Sequence, residues 1–197
     1  MYKFLVIFSQ FNNTDKTINA INSIQECSNK NLLIDVMVVD DCSTDNTNSE
    51  ILAKLSKINN KIIFKKNEKN LGYFKSLAVN LKNDLVKNYD YAWLGNNDVY
   101  DFSKNYFEDA NNIFLTNSNI AACSGSVKNE KGKENFSVKK KYFLEKKELS
   151  DVGFFVKVSL LPQIGYFSEY FNYEFCDVNF ESKLKKKGFE CAFIPSI

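Results

Sequence analysis

The feature that most constrains this chain is an unbroken apolar run that ends on two carboxylates, Val36 to Thr47, VMVVDDCSTDNT. A run without polar alternation reads as a strand buried on both faces of a parallel sheet. Cys42-Ser43-Thr44-Asp45 then supplies a turn able to cap a helix. In open α/β sheets ligands bind in the crevice outside the carboxyl ends of the strands, so Asp40 and Asp41 are placed to touch a ligand. Side chains alternate along a strand, which predicts that one of the pair faces the cleft while the other anchors the turn. The bland alternative is two solvated aspartates in a βα loop, and the rest of the chain argues against it.

The same rhythm recurs on either side. Lys3 to Ser9 (KFLVIFS) reads as a buried strand that ends at the polar turn Gln10-Phe11-Asn12-Asn13. Thr14 or Asp15 then caps a helix with Ile18, Ile21 and Ile24 at helical spacing. Leu32 to Asp41 is the second strand, followed by a helical stripe at Ile51, Leu52, Leu55 and Ile58. Lys61 to Asn67 is a short third strand. Asn70-Leu71-Gly72-Tyr73 opens a helix carrying Leu77, Val79, Leu81 and Leu85, and the glycine lets backbone approach a ligand near a helix N-terminus. Tyr91 to Leu94 is a fourth apolar strand, ending in Gly95-Asn96-Asn97-Asp98, a second oxygen-rich strand end. Four strand–helix units in succession predict right-handed crossovers and a mainly parallel sheet.

Beyond Asp98 the pattern loosens. Phe102 to Leu115 reads as a helix and Ile120 to Val127 as a strand, while Lys128 to Leu149 is a charged, Lys-rich surface excursion. Gly153 to Val156 is apolar again, and Pro162 ends regular pairing after Leu160-Leu161. Asp177 leads into a helix that carries Leu184, turns basic at Lys185 to Lys187 and stops at Gly188. Cys191 to Ile194 makes a last short strand. With 197 residues and no repeat or linker, the expectation is a single domain over 1–197.

Composition removes several chemistries. The chain has no histidine, which excludes His triads, His general bases and His metal ligands. A net charge of +2 gives no case for nucleic-acid binding. Five cysteines without a C-x-x-C motif suit reduced thiols better than a disulfide framework or a zinc site. No apolar stretch approaches the ~18 residues of a membrane span, and Tyr2 to Phe8 reads as a core strand, not a leader. The expected compartment is cytoplasmic.

Three acidic sites then fall at strand ends or a loop–helix junction: Asp40/Asp41, Asp98 and Asp177. Several carboxylates without histidine suggest a hard cation binding a polyanion, most simply a diphosphate with Mg²⁺ or Mn²⁺. The segments IFSQFNN, VVDDCSTDNT, NEKNLGYFKSLAVN, WLGNNDV and GYFSEYFNYEFCDVNFESKLKKKGF occur in an order that resembles the inverting family-2 glycosyltransferases of the GT-A fold. The resemblance runs from Phe4 to Ser196.

It implies an αβα sandwich with a mainly parallel, Rossmann-like sheet, a nucleotide-sugar-binding part over about 1–100 and an acceptor-side part over about 101–197. By position, Asp41 matches the acid expected to contact the base, with Asp40 its neighbour, and Phe11, Asn12, Asn70 and Gly72 match the nucleotide-binding loops. Asp98 matches the last acid of the metal-binding DxD signature, which here reads Asn96-Asn97-Asp98 beside the donor sugar and diphosphate. Asp177 matches the catalytic base, the second acid of a Glu-Asp pair whose first member is here Cys176.

The implied activity is a hexosyl or deoxyhexosyl transfer with inversion. It runs from a nucleoside-diphosphate sugar (uridine favoured, deoxythymidine open) to a glycan or lipid-linked acceptor, as in bacterial surface polysaccharide or lipooligosaccharide synthesis. Mg²⁺ or Mn²⁺ is the implied cofactor, and the Lys-rich segments allow a peripheral contact at the inner face of the membrane. The family chain normally continues past Pro195-Ser196, which implies a short or truncated member.

Rival readings fit less well. A receiver-type phosphotransfer domain carries its acidic pair after the first strand, whereas here the pair follows the second and the third ends in Lys65-Lys66-Asn67. A sugar-nucleotide pyrophosphorylase wants a glycine-rich basic loop where this chain has Gln10-Phe11-Asn12-Asn13. The remaining alternative is a catalytically silent sugar-nucleotide- or carbohydrate-binding module of the same fold, suggested by Asn96 and Cys176.

Overall fold

The computed structural model of the chain describes residues 1–45, 47–55, 60–99, 101–125, 149, 153–169 and 176–194. Ile58, the excursion before Leu149 with Lys139 to Lys141, Lys146 and Lys147, and Pro195-Ser196 lie outside the described residues, as does the side chain of Leu52.

The first three units follow the sequence closely. Strand β1 (Tyr2–Gln10) leads to helix α1 (Thr14–Gln25), β2 (Leu32–Asp40) to α2 (Thr47–Leu55), and β3 (Ile62–Lys66) to α3 (Tyr73–Leu81). Strand β4 (Tyr91–Asn96) precedes α4 (Tyr106–Thr116), then β5 (Ile120–Gly125) and β6 (Gly153–Lys157). A short α5 (Leu161–Ile164), α6 (Cys176–Lys186) and β7 (Glu190–Ile194) complete the order. All seven strands form one sheet in the order β3-β2-β1-β4-β6-β5-β7. Only β6 runs against its neighbours β4 and β5.

Alternation along the strands builds two cores from one sheet. Phe4, Val6, Phe8, Val36, Val38, Trp93 and Phe155 pack against Ile21 and Ile24 of α1, Ile51 of α2, and Phe107 and Phe114 of α4. Leu5, Ile7, Met37, Val39, Leu94, Phe154 and Val156 pack on the other face, against Leu77 and Leu81 of α3, Leu161 of α5, and Phe180 and Leu184 of α6. The sandwich is therefore αβα.

The face swap follows the path of the chain. From β1 the chain moves outward through β2 to β3, with α1 and α2 on one face. It then returns past β1 to β4, with α3 on the other. Right-handed crossovers demand that change of face when the direction reverses. The reversal makes the β1/β4 boundary the topological switch point, where a crevice opens at the carboxyl ends of the strands.

Several boundaries differ from expectation. Helix α1 has Asn13 as N-cap without a side-chain cap bond, so Thr14 and Asp15 sit inside the first turn and do not cap it. Strand β2 stops at Asp40, leaving Asp41 just outside. Helix α3 stops at Leu81 and Leu85 falls in a following 3₁₀ turn, while Val79 is exposed. Helix α4 begins at Tyr106, because Phe102 belongs to the approach to it. Pro162 opens α5 in its first turn, where the missing N–H costs nothing.

The antiparallel strand carries a steric signature. A Cβ on Gly95 would lie 2.1 Å from the Trp93 indole, and one on its pairing partner Gly153 would lie 2.2 Å from it. The indole thus lies flat across two glycines, edge-on to Phe8 and Phe102. Gly95 is followed at once by Asn96, the last residue of β4.

Candidate functional site

Both aspartates of the β2 terminus are buried, and each holds a different loop. Asp40 accepts from the backbone N–H of Ser43 at 3.0 Å, which closes its own turn, and Lys66 Nζ stands 3.5 Å from its other oxygen. Ser43 Oγ in turn accepts from the N–H of Asn12 at 3.0 Å. The Asn12 side chain accepts from Thr44 N–H at 2.9 Å, so the β1 and β2 turns lock together. Phe11 is left about half exposed at the lip.

Asp41 reaches the other way. Its Oδ1 accepts from Asn67 Nδ2 at 2.7 Å and from Leu71 N–H at 2.9 Å, and its Oδ2 accepts from Gly72 N–H at 2.9 Å. Asn70 Oδ1 shares the Gly72 N–H at 3.0 Å. Gly72 has φ of +80°, a conformation that a side chain disfavours, and this turns its N–H toward the carboxylate. Asn67 also donates to Ser76 Oγ at 2.9 Å, so it is fully engaged. The alternation argument gave only one member of the pair an anchoring role. Both have one, because β2 ends at Asp40 and Asp41 follows the loop rather than the pleat.

Across β1, the β4 terminus divides its polar residues. Asn97 Nδ2 donates to Thr17 Oγ1 at 2.8 Å, and Thr17 donates to the buried Gln10 Oε1 at 2.5 Å, so Asn97 braces α1 and β1. Asn96 is half-buried at the end of β4. Asp98 is half exposed, and its only described ion pair is to Lys16 of α1, at 3.7 Å.

Asp177 is the second residue of α6 and is 9% exposed. Because α6 precedes β7, which runs parallel to β5, its N-terminus lies at the same carboxyl edge as Asp41 and Asp98. The side chain of Cys176 lies outside the described residues.

The structure therefore brings Asp41, Asn70 and Gly72 into one hydrogen-bonded frame, and Asp40 and Asn12 into a second. Asp98 and Asp177 stand apart at the same edge. Sequence reasoning missed Asn67, Thr17, Gln10 and Lys16. A polar residue closing the third strand was the one available signal for Asn67.

Among the described residues no cluster of three or more acidic or thiol side chains could enclose a metal. That does not bar a divalent ion, since Mg²⁺ in nucleotide sites is held by one or two carboxylates with phosphates and waters. Asp98 fits that mode, with Lys16 displaced. No helix among the described residues is long and apolar enough to cross a membrane.

Comparison with known proteins agrees with this architecture. The profile of the family described as Glycosyl transferase family 2 matches residues 6–146. No curated protein matches the chain. Among solved structures, TarS 1–349 of S. aureus superposes with a TM-score of 0.73 at 22% identity, covering 98% of this chain and 58% of that one. Its complex with UDP-GlcNAc gives 0.71 at 21% identity, covering 99% and 59%. The mannosyltransferase PcManGT of Pyrobaculum calidifontis, in complex with GDP-Man and Mn²⁺, gives 0.73 at 16% identity, covering 98% and 55%. The chain thus spans less than two thirds of the length of these structures, and the likeness is one of GT-A fold. With more than half of its residues inside the family profile, the chain belongs to glycosyl transferase family 2.

Proposed function

We propose that the chain moves a sugar from a nucleoside-diphosphate donor to a hydroxyl of a glycan or lipid-linked acceptor, with inversion at the anomeric carbon. The observation that carries this reading is the Asp41 frame at the β2–β3 end of the crevice, with Asp98 across β1 on the β4 side. Asp41 Oδ2 takes a single described hydrogen bond, from Gly72, so a lone pair remains to accept the N3–H of a pyrimidine base. Phe11, half exposed at the lip, suits stacking on that base. Uridine is favoured over deoxythymidine.

The N–H groups of Leu71 and Gly72 are engaged by Asp41, whereas Asp98 on the β4 side has a half-exposed lysine as its described ion-pair partner. The diphosphate then belongs on the β4 side, near Asn96 and Asp98. A Mg²⁺ or Mn²⁺ ion held by Asp98 would neutralise charge on the departing diphosphate. Asn97 holds that turn against α1 through Thr17. Asp177 accepts the proton of the acceptor hydroxyl as its oxygen attacks from the face opposite the leaving group. General-base help of this kind contributes typically ~10²–10⁴-fold. On this reading about 1–100 binds the donor and about 101–197 the acceptor, and the exposed Lys186 and Lys187 at the end of α6 suit an anionic membrane face.

A second reading, donor binding without transfer, is favoured by Cys176 standing where the family has an acid. One experiment separates them. UDP-glucose, UDP-galactose, UDP-GlcNAc and dTDP-rhamnose are screened for thermal stabilisation with Mn²⁺ and for donor turnover. Stabilisation with turnover supports transfer, stabilisation alone supports the binding module, and neither result rejects both.

A further inference from the structure

Helix α6 carries a second buried carboxylate that the proposed reaction does not use. Glu181 lies one turn after Asp177, so the two share a helix face with Phe180 and Leu184. Glu181 is 4% exposed, and Phe180 and Leu184 are fully buried in the core that also holds Leu149, Phe154 and Phe167. A carboxylate in such a stripe is costly to desolvate, and an apolar residue would pack there without that cost.

Its hydrogen bonds point to its use. Oε2 accepts from the backbone N–H of Leu149 at 3.1 Å, while Oε1 pairs with Lys185, whose side chain is 61% exposed. Leu149 is itself 3% exposed and lies four residues before β6, whose first residue Gly153 pairs with Gly95 of β4. Gly95 immediately precedes Asn96. Two positions further along α6, Lys183 donates to the carbonyl of Tyr166 at 2.8 Å, roughly 200° around the helix from Glu181. The helix is thus tied to backbone on two sides. Packing of Phe180 and Leu184 decides which face of α6 is buried, and the bond to a main-chain N–H adds a directional tie to it.

We propose that Glu181 is a positioning residue for the transfer reaction. Its bond to Leu149 sets the rotation of α6, and with it the direction of Asp177 relative to the β4 edge that carries Asp98. Glu181 touches neither substrate nor reacting atoms. The inference rests on the reading of Asp177 as the general base, and small misplacements of a reacting group can cost ~10²-fold in rate.

The test compares Glu181→Gln with Glu181→Leu in the full chain, using UDP-glucose, UDP-galactose, UDP-GlcNAc and dTDP-rhamnose as probe donors. Glutamine keeps an oxygen for the Leu149 N–H, and leucine does not. The expected order of kcat is wild type close to Gln, with Leu lower by roughly ten- to a hundredfold and donor KM within about twofold. Hydrogen exchange at the Leu149 amide should be faster only in Glu181→Leu. Glu181→Leu also leaves the buried Leu149 N–H without its acceptor and should lower the melting temperature, so kcat is compared at a temperature where every variant is fully folded. If Glu181→Leu fails to fold, Glu181→Asp, which withdraws the carboxylate by one methylene, should show the same loss of kcat. An active wild type whose folded leucine or aspartate variant keeps full kcat overturns the proposal, as does a loss that falls on donor KM and leaves kcat unchanged. A wild type inactive on every donor rejects the proposed function itself, which is a different result.

Discussion

Asp41 has three N–H groups to hold before any ligand arrives, and that demand sets what its substitution costs. Asparagine at this site offers one acceptor oxygen and turns an N–H₂ toward a backbone N–H. Asp41→Asn should therefore destabilise the protein by about 1–3 kcal/mol in urea unfolding, the cost of a buried donor left without a partner. Calorimetry should also show weaker binding of uridine and UDP alike, with or without Mn²⁺. A loss confined to Mn²⁺-containing buffer would move Asp41 into the metal site. Asp177 behaves differently, because it sits in the first turn of α6, where asparagine keeps the shape and an acceptor oxygen and gives up only the charge. Asp177→Asn should keep UDP affinity and melting temperature while cutting transfer by at least ~10²-fold, and Cys176→Ser should stay within a few-fold of wild type. Turnover close to wild type in Asp177→Asn would return Asp177 to a structural role in the first turn of α6, near the positive end of the helix dipole. The aspartates were legible in the sequence because carboxylates that end apolar runs are conspicuous. Their partners were not, since Asn67, Leu71 and Gly72 meet Asp41 only after the β3–α3 crossover has folded.

At the scale of elements, the strands buried on both faces announced themselves as unbroken apolar runs, and β1, β2 and β4 fell where expected. The direction of β6 was not legible: GFFVK is equally apolar read either way along the sheet, and periodicity carries no sign. What marks β6 as the neighbour of β4 is the pairing of Gly153 with Gly95 under the Trp93 indole. A methyl group at Gly95 would sit inside van der Waals contact with the ring and force it off the seam. Gly95→Ala should destabilise by about 1–3 kcal/mol through overpacking. It should also shift the emission of Trp93, the protein's single tryptophan. An unchanged spectrum with unchanged stability would show that the seam has slack. The same burial governs the thiols of the sheet and the α1 terminus. Burial, reinforced by Glu26, pushes Cys27 up to about 12, and burial, reinforced by Glu181, does the same to Cys191. Burial also holds Cys123 well above an ordinary thiol. At pH 8, four units below, a thiol of pKa 12 is ionised to about one part in 10⁴. Iodoacetamide at that pH should therefore spare Cys27, Cys123 and Cys191 in the folded protein and modify them in urea, as mass spectrometry of the peptides would show.

For the whole molecule, the reversal of chain direction at β1 separates the candidate base-reading frame on β2–β3–α3 from the candidate diphosphate side on β4. A donor lying across β1 would touch both parts of the sheet at once. Bridging of this kind should appear as global stabilisation: a ligand at ~100 times its dissociation constant adds ~2.7 kcal/mol. For a chain of this size that is a rise in melting temperature of roughly 5–10 °C. On the proposed reading a divalent ion would enter through Asp98, whose described ion-pair partner is Lys16, with both side chains about half exposed. Exposed pairs of this kind are worth at most ~1 kcal/mol and are screened by salt, so an ion bound jointly by Asp98 and a diphosphate should displace the lysine. Removing Lys16 removes the competitor. Lys16→Met should leave the melting temperature of the free protein within a degree or two and strengthen Mn²⁺-dependent stabilisation by UDP, with apparent affinity rising up to about fivefold, the equivalent of ~1 kcal/mol. Asp98→Asn should abolish the Mn²⁺-dependent part and keep the metal-free part, which rests on Asp41. If Lys16→Met instead weakens UDP binding and Asp98→Asn leaves the Mn²⁺ effect intact, the ammonium of Lys16 is itself the counter-charge to the diphosphate, and the ion has no site at Asp98.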